Sequence, residues 1–244
     1  MVSPDLRWKK IVDLEALLNK GDTIVVPDTS ILANAYYFTS KRSNKISKKK
    51  GHKFGGTDNS LKIMKMLKEE SVPNHLFVVP ECVMAQTKAL LEYSLKGASK
   101  FDLVDWYLAV RKNKNAKVLI MTDPFVYRKH DPEKFEEFEN ELPPAFLDLT
   151  SSINIRPDAS KKEIKSKLID KGIIYTTAHI YNSLPTYNII LASNDRKHIN
   201  TAAVQNAFNK IRMQHSFKLK RSGKSAGKIK LYKSSNLLKE IKKK

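Results

Sequence analysis

Asp28 and Asp195 each stand just past a short apolar run: Thr23-Ile24-Val25-Val26-Pro27 leads into Asp28, and Asn188-Ile189-Ile190-Leu191-Ala192-Ser193-Asn194 leads into Asp195. In open α/β sheets ligands bind beyond the carboxyl ends of the strands, so an acid in that place is a candidate ligand or catalyst. The same aspartate can also cap the next helix or open a turn, and for either residue alone both uses stay open. A third acid, Asp170, falls on one helical stripe with Ile173, Ile174, Thr177, Ala178 and Tyr181. A carboxylate in phase with apolar neighbours is expensive to desolvate unless a cation or hydrogen-bond donors compensate it. A bound metal ion supplies that compensation. The alternative is a helix that begins near Asp170, encouraged by Gly172, with the carboxylate at its positive end.

The elements that must position these acids follow one pattern. Thr23–Val26, Leu76–Val79, Lys117–Met121 and Asn188–Ala192 are short apolar runs rich in β-branched residues, closed by Pro27-Asp28, Pro80-Glu81, Thr122-Asp123-Pro124 and Ser193-Asn194-Asp195. Runs of this kind are strands buried on both faces. Helical spacing is found over Trp8–Leu18, Asn59–Glu70, Glu81–Leu95, Lys100–Val110, Lys161–Asn182 and Asn200–His215. Strands alternating with helices predict an α/β domain with a mostly parallel central sheet. Its expected extent is residues 1–216, interrupted by a basic loop at 39–56 and an irregular insertion at about 130–160. Residues 217–244 are expected to form a basic tail. No internal repeat is evident.

Composition narrows the partner. The 244 residues carry a formal net charge of +20, which points to a polyanion. Lys41, Arg42, Lys45, Lys48, Lys49, Lys50 and Lys53 form one block with no acid between Ser40 and Thr57, and Lys218–Lys244 contains Glu240 as its only acid. Such blocks are commonly solvated and disordered, yet basic arms neutralise phosphates without needing a fold. An acidic membrane surface fits less well, because the last block shows little sustained apolar face. No run approaches the roughly 20 apolar residues that cross a bilayer, and Met1-Val2-Ser3-Pro4-Asp5 lacks the apolar core of a secretory signal. Cys82 is the only cysteine, which excludes a disulfide framework or a cysteine-based zinc site within one chain. An intracellular location, cytoplasmic or nuclear, is expected.

Val26-Pro27-Asp28-Thr29-Ser30-Ile31-Leu32, the helix Asp170–Ala178 and the run Ile189–Arg196 together resemble PIN-domain nucleases, most of all the PIN domain of the exosome catalytic subunit. The resemblance spans roughly Thr23 to His215. It implies a three-layer α/β fold and hydrolysis of RNA phosphodiester bonds by water, with Mg²⁺ or Mn²⁺ held by Asp28, Asp170 and Asp195. Hard dications suit such oxygen ligands. Thr29, Ser30, Ser193, Asn194, Arg196 and Lys197 are expected to contact nucleic acid around the cleft, with His198 beside them and Lys48, Lys49 and Lys50 reaching from the basic loop. The sequence departs from the family at Gln86, which stands where a metal-binding Glu is usual. That departure leaves open a natural, weakened site, an engineered substitution, or replacement by Glu81, Glu92 or Asp123, of which Asp123 and Glu81 are the reserve acids. Glu81 can equally serve a helix dipole, and Asp123 a Thr-Asp-Pro turn.

Two other groups carry less. The remaining histidines, His52, His75, His130, His179 and His215, make no ligand set, and His179 reads as a core residue within a helix. Tyr36, Tyr37 and Phe38 could stack on bases or simply pack after the first strand. The leading expectation is a metal-dependent endoribonuclease. The alternatives are a catalytically weakened RNA-binding or assembly factor, and a structure-specific DNA nuclease of the related flap group, whose sites usually hold more acids. RNA target and oligomeric state are not legible.

Overall fold

The computed structural model describes residues 10–33, 57–69, 72–94, 117–121, 160–197, 199 and 201–243. The strands β1 (Thr23–Pro27), β2 (His75–Pro80), β3 (Lys117–Met121), β4 (Asn188–Ala192) and β5 (Ile229–Tyr232) form one all-parallel sheet in the order β3-β2-β1-β4-β5. The three central strands are buried almost throughout, whereas the edge strands β3 and β5 are mostly half-buried. This explains why the central runs are continuously apolar: both faces of each strand are covered.

The helices complete a three-layer α/β arrangement: α1 (Lys10–Leu17), α2 (Thr57–Glu69), α3 (Glu81–Ser94), α4 (Lys161–Ser183), α5 (Ala202–Lys220) and α6 (Ser234–Ile241). α3 packs on β2 and against α4, which covers β2 and β4. α6 packs against α2 and on β5, and α5 also lies on β5. Tyr175, Tyr181, Phe77 and Phe208 are the largest fully buried side chains of the core. Among the described residues, no helix is long and apolar enough to cross a membrane.

The chain runs outward from β1 through β2 to β3, then returns to the other side of β1 for β4 and β5. The order therefore reverses between β1 and β4, and the strands there are in register from Thr23↔Asn188 to Pro27↔Ala192. A parallel α/β sheet opens a crevice at such a point, because the connections leave in opposite directions. Asp28 and Ser193 are the next residues along each strand.

One expectation is corrected outright. Residues 217–244 are no tail: they complete α5 and supply β5 and α6. β5 pairs with β4 from Ile189↔Ile229 to Ala192↔Tyr232. Leu237, Leu238 and Ile241 are buried at helical spacing on α6. Lys218, Lys220 and Lys239 are exposed on helices and Lys230 lies half-buried on the edge strand, so high charge and a folded backbone coexist. The expected helix Lys100–Val110, the loop at 39–56, the insertion at about 130–160 and the aromatics Tyr36, Tyr37 and Phe38 lie outside the described residues.

Gly227 admits β5 to the sheet. Its N–H donates to the Pro185 carbonyl at 2.8 Å, and its own carbonyl accepts the buried Tyr181 hydroxyl at 3.0 Å. A Cβ at this position would land on the Tyr187 carbonyl, a backbone atom that cannot rotate away. Gly227→Ala should therefore destabilise the protein by about 1–3 kcal/mol or more in urea unfolding, as overpacking against rigid neighbours does. Unchanged stability would show that β5 does not depend on this approach.

Candidate active site at the strand ends

Asp28 follows β1 directly, and residues 29–33 are helical. The Asp28 carbonyl accepts the N–H groups of Ile31 and Leu32, and its carboxylate accepts those of Thr29 (2.6 Å) and Ser30 (3.3 Å). The capping role open from sequence is thus real. It does not exhaust the residue, because Oδ2 also accepts the Ser30 hydroxyl and, from across the β1–β4 junction, the Ser193 hydroxyl, both at 2.7 Å. Asp28 is only 4% exposed. Burial raises its pKa, and the hydroxyls of Ser193 and Ser30 with the backbone N–H groups of Ser30 and Thr29 act against that rise. Among the described residues its donors are dipoles. By contrast, the buried Asp22, before β1 at the opposite end of that strand, has a cationic partner in Lys117 at 3.1 Å.

Asp170 lies in the middle of α4, not at a helix start, and is 7% exposed. Its pKa is raised to about 8, first by burial and then by the charges of Asp28 and Asp195, while Lys167 one turn earlier lowers it. The three aspartates therefore share one electrostatic environment. Asp195, half-buried beyond β4, is shaped by its own turn: its N–H donates to Ser193 Oγ at 2.9 Å, and its Oδ1 accepts the N–H of Lys197 at 2.7 Å.

Gln86, on α3, belongs to the same end of the sheet, because the Thr29 hydroxyl donates to its Oε1. The amide accepts this bond without adding a charge beside Asp28. Glu81 stands in the first turn of α3, where a negative charge suits the helix N-terminus. It is absent from the charges that act on Asp170. Asp123, Lys48, Lys49, Lys50 and His198 lie outside the described residues, as does the side chain of Glu92. His179 is buried in α4, and burial pushes its pKa down to about 4, as suits a neutral core residue.

Four residues expected to contact nucleic acid turn inward instead. Thr29 and Ser193 are buried, and their hydroxyls bind Gln86 and Asp28. Ser30 Oγ donates to Asp28 and accepts the Asn194 N–H at 2.8 Å. Asn194 Oδ1 accepts both the N–H (3.1 Å) and the hydroxyl (3.0 Å) of Ser234, the first residue of α6. These side chains bond to one another and to Asp28, Gln86 and Ser234, whereas Arg196 and Lys197 are exposed. Ser234 and Lys167 are additions to the site. The one-turn spacing of Lys167 and Asp170 is a sequence signal for the second; nothing local announces the first.

The donor set is all oxygen, and its negative charges act on each other, which suits a hard dication. Among the described residues, however, no three His, Cys, Asp or Glu side chains are grouped closely enough to hold a metal ion by themselves. The acids converge electrostatically without forming a complete ligand shell. Comparison of the chain with protein-family models, curated proteins and solved structures returns no match.

A stability prediction follows from Asp170. An acid whose folded pKa lies above its unfolded value holds a proton in the native state that the unfolded chain has released. Its contribution is complete below the unfolded value of 3.8 and is lost as pH rises through about 8. In chelator, stability should fall across this window by up to about 1.4 kcal/mol per pH unit on account of this group. Asp170→Asn should flatten that slope in urea unfolding measured across the window. An identical slope in the variant would remove Asp170 from the acid cluster.

Proposed function

We propose that this chain is a PIN-like, metal-dependent endoribonuclease. What supports the reading is that Asp28 and Asp195 follow adjacent central strands and that their charges, after burial, raise the pKa of Asp170 on α4. A fold that buries mutually repelling acids beside a topological crevice gains from a cation there, since the charges then stabilise a ligand instead of opposing one another. Asp28, Asp170 and Asp195 would hold Mg²⁺ or Mn²⁺, in part through water, which suits a small cation that sheds its hydration reluctantly. Bound there, such an ion supplies charge neutralisation and Lewis acidity for hydrolysis of a phosphodiester by water.

The chain's own residues have separable tasks in this reading. The hydroxyls of Ser30 and Ser193 orient Asp28 and act against the rise in its pKa that burial causes. Thr29 fixes Gln86 at the rim, and Asn194 fixes the loop that carries Asp195. Arg196 and Lys197 offer exposed cations to the phosphates on either side of the scissile bond. RNA as the substrate rests on the family resemblance together with the net charge of +20.

Gln86 and the incomplete ligand shell favour a second reading, in which the same fold binds RNA with little or no cleavage and serves RNA processing or assembly. One assay separates the two. Under the first reading, the protein cleaves a fluorescent single-stranded RNA with Mn²⁺ or Mg²⁺. Asp28→Asn and Asp195→Asn each lower that rate by roughly two orders of magnitude or more, and Gln86→Glu raises it by adding a charged ligand. RNA binding without cleavage, with activity gained only in Gln86→Glu, selects the second. Cleavage unchanged in both asparagine variants overturns the site.

A further inference from the structure

We infer that the outer face of α5 is a docking surface for single-stranded RNA, with Phe217 as the residue on which a base stacks. The helix buries Val204, Ala207, Phe208 and Ile211. Away from that seam, Lys210, Met213, Phe217 and Lys220 recur at intervals of three or four residues, with Gln214 and Arg221 beside them, and all six are exposed. Residues at these intervals are surface neighbours, and the stripe extends about 16 Å along the helix. Phe217 is 72% exposed and Met213 59%. Only Leu17 joins them as an exposed large hydrophobic residue among the described residues.

Among the described residues, packing does not explain an aromatic ring this exposed on a helix that already has a buried face. Its surroundings indicate the occupant. From Arg196 to Lys239 the sequence contains no acidic residue, while Lys210, Lys218, Lys220, Arg221 and Lys224 lie on or beside the Phe217 face and are exposed. The patch therefore pairs one planar apolar platform with closely spaced cations. A single strand of nucleic acid needs that combination: each unpaired base offers a π-face for stacking, and the flanking phosphates take the cations. A protein helix would need a broader apolar groove than one Met and one Phe provide. A membrane would need a sustained apolar face.

The inference shares its ligand class with the nuclease reading but not its residues. It is tested by fluorescence anisotropy of labelled oligouridylate in chelator, where cleavage plays no part. Phe217→Ala should weaken binding roughly 5- to 150-fold, the loss of one stacked base, without changing the salt dependence. Phe217→Trp should restore affinity, and Phe217→Leu should not. Lys220→Gln with Arg221→Gln should instead lower the slope of log affinity against log salt by about 0.7 for each cation removed. A self-complementary RNA duplex, whose bases are already stacked, should bind without dependence on Phe217.

Equal affinity of Phe217→Ala and the wild type, or full restoration by Phe217→Leu, overturns the proposal. So does a Phe217 requirement seen only for pelleting with phosphatidylserine vesicles. The two readings fail separately. Phe217-dependent binding without any metal-dependent cleavage leaves the patch and removes the nuclease; metal-dependent cleavage with Phe217-independent binding does the reverse.

Discussion

The hydrogen bond from the Ser193 hydroxyl to Asp28 Oδ2 closes the junction between β1 and β4, two strand ends 165 residues apart in the chain. Its existence depends on parallel pairing that runs in register to Pro27↔Ala192, so that the next residue of each strand meets the other. A buried carboxylate is tolerable only when its oxygens are well supplied with donors. Asp28 receives two hydroxyls and two backbone N–H groups, and no cation among the described residues. These dipoles act against the rise in its pKa that burial causes. Burial is the larger cause of the rise in the pKa of Asp170 to about 8, and the charges of Asp28 and Asp195 add to it.

The same junction reaches the end of the described chain. Ser193 N–H donates to the Tyr232 carbonyl at 2.8 Å, and Asn194 Oδ1 binds both polar groups of Ser234. β5 and α6 are thus joined to the segment after β4 that carries Asp195, which makes the basic C-terminal segment part of the site's framework. Ser30 stands at the centre of this network, donating to Asp28 and accepting from Asn194. Asp28, the sheet edge and α6 are therefore linked by one chain of hydrogen bonds.

The central strands were legible in the sequence because burial on both faces demands an unbroken apolar run, and β1, β2 and β4 meet that demand. Asp170 was legible because its phase along α4 matches Ile173, Ile174 and Ala178, all fully buried. β5 and α6 were hidden by their lysines. At an edge strand, alternation of Ile229 and Leu231 with Lys228 and Lys230 satisfies the pleat, yet its charge reads as a solvated tail. Leu237, Leu238 and Ile241 at helical spacing were the available counter-signal. The inward turn of Thr29, Ser30, Ser193 and Asn194 could not be read locally, because each bonds a residue whose position depends on the sheet order.

We propose that Asp28, Asp170 and Asp195 together bind a hard dication. Electron paramagnetic resonance of Mn²⁺ tests it without reference to cleavage or RNA, since the sharp signal of the hydrated ion is lost on binding. Titration of the protein should remove that signal saturably, Mg²⁺ should restore it by competition, and Asp28→Asn should abolish the high-affinity component while the far-UV circular dichroism stays that of the folded chain. A signal that the protein leaves untouched, or that the folded Asp28→Asn variant quenches as well as the wild type does, would contradict the claim.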